Sequence, residues 1–430
     1  MTARPKRFPL PESLRRRVRA LPLALLLWLA WAVAALAGQG GGFVFLSGDE
    51  LARGREAARA GDPAMGPALG RLAEECTEAL AAGPFTVTAK GQPPPGGDIH
   101  DFASVAPYWW PNPGTADGLP PVHRDGEVNP ASRQGDVAAL EGLVEAVDTL
   151  ALGYYYTGQA ALAERAALLL RTFFLDPATA MRPHLRFAQM RPGRPHGSGF
   201  GIIDARRLPE LCDAAMLLAG SPAFGQADRD GLVAWFSAYL DWLLESPEGG
   251  QARDAANNHG SWYDVQVAGL ALFCGRPEVA RQALARFPAR LAGQIAPDGA
   301  QPLELARTRS LSYSLSNLEA LFRLMLLGDR LGLDLWRVAA PGGGDPRRAL
   351  AYLLPFLGEG APWPYRQITP VGHAGGTALL LRLAAMRYGD PAFAVAFDRV
   401  FGKKAAKRRV WLLYPSGPDD PAAPRVGTGF

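Results

Sequence analysis

Three stretches of this 430-residue chain concentrate side chains that do chemistry. In Asn257-Asn258-His259-Gly260-Ser261-Trp262-Tyr263, amides, an imidazole and two aromatic rings stand just before a segment of helical periodicity. The run 302–317 brings Arg307, Arg309 and Tyr313 together. Arg309 and Tyr313 are four apart and share a face of a helix. Arg307 can meet the tyrosine's target only if the helix begins after it. The third stretch runs from His100 to Pro111, with consecutive rings at Tyr108, Trp109 and Trp110, and is followed by Arg124-Asp125-Gly126-Glu127-Val128-Asn129. One short loop cannot bury three such rings, and exposed rings stack on sugar faces, so a carbohydrate cleft is the sharp reading.

Together these groups suit the cleavage of a uronate by β-elimination. The reaction removes the C5 proton next to a sugar carboxylate and expels the C4-linked oxygen. The proton is acidic enough only if donors neutralise the charge developing on the carboxylate, each contributing about 3 to 4 kcal/mol. A base and an acid add roughly 10² to 10⁴ each in rate. Asn258, His259, Arg307 and Tyr313 supply these parts without a metal or cofactor. Each also has a plainer role open to it: Asn258 as a helix cap, His259 as a satisfied histidine, an arginine paired with Glu304, and one or two rings as core.

The elements that must position these groups are helices. Apolar residues recur at helical spacing in pairs: 135–156 with 160–174, 208–219 with 228–244, 262–273 with 277–292, 310–331 with 346–357, and 376–388 with 391–401. Turn residues such as Thr157-Gly158 and Gly389-Asp390-Pro391 separate them. Five irregular hairpins without a shared consensus predict an all-α fold, an incomplete α/α toroid rather than a repeat array. No Val/Ile-rich alternating strand lies between them. Long insertions at 90–134, 182–207, 247–261 and 358–375 carry most of the aromatic and polar candidates. The expected organisation is a leader at 1–37, a helical lead-in at 38–80, a catalytic domain at 81–400 and a C-terminal extension at 401–430. The basic cluster at 403–409 reads as a solvated helix end.

Charge excludes one class of partner. The formal net charge is +4, yet residues 1–19 hold seven basic groups against one acid; the remainder has 38 basic and 40 acidic residues. A body without excess positive charge is a poor nucleic-acid binder. The basic stretch precedes 18 uncharged residues ending in Ala35-Leu36-Ala37. These are the parts of a secretory signal, with cleavage expected after Ala37 and a periplasmic or secreted body; an uncleaved N-terminal anchor is the alternative. No membrane contact beyond this segment is expected, and a monomer is. Cys76, Cys212 and Cys274 fall in helical apolar patterns and read as core thiols. The six histidines, His373 among them, show no HExxH or HxxxH spacing, so no metal site is expected.

The sequence resembles the alginate lyase family of polysaccharide lyases with α/α-toroid folds. The resemblance is carried by His100-Asp101-x-x-Ser104-x-Ala106-Pro107-Tyr108-Trp109-Trp110-Pro111, Arg124-Asp125-Gly126-Glu127-Val128-Asn129, Ala188-Gln189, Gly201-Ile202-Ile203-Asp204, Asn257-Asn258-His259 and the run 303–314, in that order. It implies that Asn258, His259 and Arg307 occupy carboxylate-neutralising and base positions and that Tyr313 is the catalytic tyrosine, with Arg309 able to replace Arg307. It implies an acidic polysaccharide, alginate or a related polyuronate such as glucuronan, met by His100, Tyr108, Trp109, Trp110, Gln189, Trp262, Tyr263 and Arg309. Two rivals remain. A glycoside hydrolase would draw a carboxylate pair from Asp101, Asp125, Glu127, Asp204, Asp264 and Glu304. A carbohydrate-binding protein would need no chemistry at all.

Overall fold

The computed structural model describes residues 42–371 and 375–416. The leader, its cleavage point, His373 and the tail beyond Ser416 lie outside the described residues. In chain order the elements are α1 (Gly48–Arg59), α2 (Gly66–Ala81), β1 (Ala103–Val105), β2 (Trp109–Trp110), β3 (Val122–His123), α3 (Asp136–Thr157) and α4 (Ala160–Leu170). There follow β4 (Phe187–Met190), α5 (Leu208–Leu217), α6 (Gln226–Glu245), α7 (Pro247–Arg253), α8 (Asn258–Phe273), α9 (Pro277–Leu284) and α10 (Phe287–Gln294). The chain ends with α11 (Pro302–Leu305), α12 (Ser310–Arg330), α13 (Pro346–Leu353), α14 (Gly375–Tyr388), α15 (Pro391–Phe401) and α16 (Val410–Leu413).

The hairpins form an α/α toroid. Helices α3, α5, α8, α12 and α14 pack successively side by side as the inner layer, backed by α4, α6, α9, α13 and α15. Local chemistry sets the boundaries. Proline opens α7, α9, α11, α13 and α15, where a missing N–H costs nothing. The carboxylates of Asp345 and Asp390 cap α13 and α15 by accepting from the amides of Arg348 (2.8 Å) and Ala392 (3.0 Å), which satisfies N–H groups that the helix itself cannot. Helix α8 has apolar residues all round, and every residue except His259 and Leu272 is buried, as an inner helix packed on several sides requires.

The insertions carry strand pairing that the helical periodicity does not announce. Strand β1 pairs in parallel with β4, and β2 pairs antiparallel with β3, with Trp109 opposite His123. These two small sheets tie the insertions 90–134 and 182–207 to each other and to the mouth of the ring.

The basic cluster near the C-terminus is not simply a solvated helix end. Arg409 turns inward and pairs with Glu75 of α2 (2.8 Å) and with Glu145 (3.1 Å) and Asp148 (2.9 Å) of α3. The segment from 402 to 413 thereby bridges α14 to α2 at the open side of the ring. Cys76 and Cys212 are buried free thiols and Cys274 is a half-buried one. Among the described residues no helix is long and apolar enough to cross a membrane.

Candidate active site

The site stands at the N-terminal ends of α8 and α12, beneath the two small sheets. Helix α8 begins at Asn258 because the side chain of Asn257, not Asn258, accepts the amide of His259 (3.3 Å) and so caps the helix. That leaves Asn258 free of capping and 3% exposed. Its backbone N and Nδ2 lie 2.9 Å from Glu304 Oε1, and Nδ2 is also 2.9 Å from Oε2. One amide hydrogen shared between the two carboxylate oxygens leaves the other N–H to turn toward a ligand.

His259 projects into the site with its ring against Phe200, centroids 5.0 Å apart and edge to face. Burial, with Arg307 and Arg206 nearby, pushes its pKa down from 6.5 to about 4, against a hydrogen bond to the Phe200 backbone that works the other way. Desolvation and like charge both disfavour imidazolium, so the ring is neutral over most of the pH range. Donating one N–H to the Phe200 backbone leaves its second nitrogen as a lone-pair acceptor, the form a base needs.

Helix α12 begins at Ser310, so Arg307 lies before the helix and folds back over it. Its guanidinium sits 4.4 Å from the centroid of the Tyr313 ring. Asp125 fixes it there: Arg307 Nη2 and Nε donate to Oδ1 at 2.6 and 3.1 Å, while Thr308 N donates to Oδ2 at 3.0 Å. Burial opposes the charge on Asp125, but hydrogen bonds from Arg307 and Thr308 hold its pKa down at about 2. Gly126 makes the approach possible. Its φ is +75°, and a Cβ there would run into Thr308 Oγ1; glycine alone takes this backbone without cost. Arg309 lies elsewhere, with Nε 3.1 Å from Thr369 Oγ1 and its backbone bridged to Gln367.

The Tyr313 hydroxyl donates to the Tyr108 hydroxyl, bringing the aromatic insertion onto α12. Burial first, then Tyr108, raises the Tyr313 pKa well beyond the ordinary tyrosine value, so the phenol keeps its proton. Arg307, Tyr313, Tyr108 and, on the neighbouring helix end, Asn258 and His259 thus converge from three segments far apart in sequence.

The other candidates divide. Trp262 and Tyr263, expected to meet sugar, are each 2% exposed: the former donates Nε1–H to Ser316 Oγ (3.1 Å), the latter its hydroxyl to Leu243 O (3.0 Å). They follow the active stretch directly, but the inner position of α8 turns them into the core. His100 is likewise held away, Nδ1 lying 2.7 Å from Ala180 O, and no contact joins it to the Arg307–Tyr313 group. Trp110 donates Nε1–H to Glu127 O (3.0 Å) and carries Arg124 at 5.2 Å. Trp109 has Arg191 on its ring at 4.2 Å and His123 at 5.0 Å, so its faces are largely taken.

Gln189 belongs to a closed network that motif reading alone did not announce. Its N donates to Ser104 Oγ (2.7 Å), Ser104 Oγ donates to Asp204 Oδ2 (2.6 Å), and Gln189 Nε2 donates to Asp204 Oδ1 (2.8 Å). Burial raises the Asp204 pKa to about 6 despite these bonds. Gln189 is the one positive-φ residue other than glycine among the described residues (φ +52°). Such backbone costs about 1 kcal/mol or more, which the network sustains.

Five of the six carboxylates a hydrolase would draw on are committed elsewhere, and the sixth, Glu127, is exposed beside Arg124 (3.7 Å). Asp264 accepts from Arg286 (2.5 Å) and Arg290 (2.9 Å), Asp101 from Arg182 (3.5 Å), and Asp125, Asp204 and Glu304 are held as described. Among the described residues no group of three or more His, Cys, Asp or Glu has the arrangement to hold a metal ion.

The family model described as Alginate lyase matches residues 86–363. An alginate lyase from Bacteroides ovatus superimposes with a TM-score of 0.82 at 34% identity, covering 88% of this chain and 100% of that one. Alginate lyase A1-III from Sphingomonas species A1 shares the fold at TM-score 0.50 and 16% identity, covering 82% of this chain and 97% of that one. A variant of A1-III complexed with a tetrasaccharide superimposes at TM-score 0.52 and 17% identity, over 80% of this chain and 95% of that one. A search of curated proteins returned no match. The α/α toroid and these likenesses define a polysaccharide lyase. The chain belongs to the alginate lyase family.

Proposed function

We propose that the enzyme cleaves a uronate polysaccharide by β-elimination, with alginate rich in mannuronate, or a related polyuronate such as glucuronan, as substrate. Asn258 and Arg307 neutralise the C5 carboxylate, His259, whose one N–H is used on the Phe200 backbone, takes the C5 proton, and Tyr313 protonates the departing C4 oxygen; charge neutralisation needs no metal. The observation that carries this reading is the pairing, at adjacent helix ends, of an uncharged His259 with a protonated Tyr313 lying under the Arg307 guanidinium. A base must be unprotonated and an acid protonated at the working pH, and burial supplies both conditions. A bound substrate carboxylate raises the basicity of His259 from its free-enzyme value, since a nearby negative charge favours imidazolium. Tyr108, hydrogen-bonded to Tyr313, is the group the leaving oxygen displaces. For the opposite C5 epimer, Tyr313 could serve as base only after giving up its own proton, a state that its burial opposes.

Incubation with polymannuronate, polyguluronate and glucuronan tests the reaction through the ultraviolet absorbance of the unsaturated uronate product. At least one polymer is expected to give the signal; new reducing ends without it point to hydrolysis. The leader supports export, so the working enzyme is periplasmic or secreted and begins after Ala37, which N-terminal sequencing of the exported protein checks. It acts as a monomer, a state read by light scattering.

A further inference from the structure

A polyuronate carries a carboxylate on every sugar, so the residue beside the cleaved one presents a second negative charge. The described structure offers a cation for it in the insertion 182–207, where sequence alone identifies no charged contact. Strand β4 ends at Met190, whose carbonyl accepts the amide of Ala106 (2.9 Å). The next residue, Arg191, is thus delivered across from the turn 106–109, which also holds Tyr108 against Tyr313. Its guanidinium lies 4.2 Å from the centroid of Trp109, the ring of which is backed by His123 at 5.0 Å.

Several arginines around the site are paired: Arg124 meets Glu127 (3.7 Å), Arg182 meets Asp98 (3.1 Å), Arg207 meets Glu210 (2.8 Å), and Arg307 of the run 302–317 meets Asp125 (2.6 Å). Among the described residues no carboxylate lies within ion-pair distance of Arg191. Its surroundings disfavour its charge, through burial and then the proximity of Arg194, so an anion brought to it gains more than at a solvated arginine. A guanidinium over an indole can keep an N–H edge for a ligand, and such an edge matches a carboxylate in bidentate geometry.

We propose that Arg191, seated over Trp109, is the carboxylate-reading group of a neighbouring sugar subsite, so that Trp109 serves as a platform for a cation rather than for a sugar ring. This rests on the uronate-lyase reading above, and it assigns the enzyme a requirement for acidic sugars beyond the one being cleaved. The network of Ser104, Asp204 and Gln189 is the positioning device, since it holds the strained Gln189 backbone two residues before Arg191.

The test compares full-length wild type with Arg191→Ala, Arg191→Lys, Trp109→Leu and Arg194→Ala on the responsive polymer. Arg191→Ala is expected to raise KM about tenfold at low salt, the loss of roughly one charge-assisted contact, with kcat nearly unchanged. Arg191→Lys should recover part of that loss, Trp109→Leu should reproduce most of it, and Arg194→Ala should change KM less than twofold. Calorimetric binding of a mannuronate or glucuronate hexasaccharide, native or with its carboxyls reduced to alcohols, separates charge reading from shape. The Arg191→Ala defect should vanish for the reduced ligand. An unchanged KM and affinity in Arg191→Ala, or an equal defect in Arg194→Ala, overturns the proposal. If wild type yields no unsaturated product from any polyuronate, the lyase reading fails, and the calorimetric comparison still decides the role of Arg191.

Discussion

Arg307, Tyr313 and His259 owe their states to their neighbours more than to their own chemistry. Tyr313 keeps its proton because it is buried beside another phenol, and His259 loses its own because it is buried near two guanidinium groups. Tyr313→Phe should lower kcat by at least about 10²-fold while leaving hexasaccharide binding within a few-fold, since only the proton transfer is removed. On the acid side, kcat/KM should fall as pH drops through about 4, where His259 of the free enzyme takes up its proton, rather than near the ordinary 6.5. A pH profile with an acid limb at 6.5 would contradict the buried, neutral base. Asp125 touches Arg307 and not the reacting atoms, so it is a positioning residue. Asp125→Asn keeps the shape and removes the charge; we expect kcat to fall about tenfold or more with a smaller change in KM, measured by the initial rate of product absorbance.

At the scale of elements, two helix beginnings decide which side chains meet. The start of α12 at Ser310 frees Arg307 to fold over Tyr313, where a start one turn earlier would have offered Arg309. Helical periodicity places such boundaries only to within a few residues, which is why both arginines remain open in the sequence. The start of α8 puts Asn258 and His259 at the mouth, and the same helix carries Trp262 and Tyr263 into the core one turn on. Aromatic residues in a motif look alike whether they face a ligand or a neighbouring helix, and only the inner position of α8 distinguishes them. The turn at Gly126 is the matching element on the opposite wall. Gly126→Ala forces a side chain into left-handed backbone against Thr308, so a loss of about 1 kcal/mol or more of stability is expected, with turnover falling further as Arg307 is displaced. Thermal unfolding and kcat measured on one preparation check both.

For the whole molecule, the ring has an open side, and buried charges close it. Arg409 joins α2, α3 and the C-terminal segment through three carboxylates. Arg409→Met strands Asp148, while Glu75 keeps Arg71 and Glu145 keeps Arg207, and a destabilisation of about 2 kcal/mol is expected from denaturant titration, with KM of the folded fraction unchanged. At the other end of the chain, the amides of Phe45 and Leu46 donate to Asp213 Oδ2 of α5 at 2.9 and 3.2 Å, and Val44 N donates to Oδ1. Burial nevertheless raises the pKa of Asp213 to about 7. The folded state therefore holds this proton more tightly than the unfolded chain does. Its contribution is fully present below the ordinary carboxylate range and is lost as pH rises toward 7. Asp213→Asn should accordingly flatten the decline of the melting temperature between about pH 4 and about 7; an unchanged slope would remove Asp213 from that account.

The sequence by itself determined the helical hairpins, because apolar spacing and Gly/Pro breaks are local, and it singled out Asn258, His259, Tyr313 and one of Arg307 and Arg309 as candidates, because those types cluster in two short runs. The tertiary structure alone decided that Arg307 rather than Arg309 lies on Tyr313, that Asp125 holds it, that Trp262 and Tyr263 are core, and that Arg191 covers Trp109. Each of these pairings joins segments distant along the chain: Asp125 and Arg307 are separated by 182 residues and Tyr108 and Tyr313 by 205. Burial and pairing at that range follow from how inner helices and insertions pack, and no local pattern of residues records it.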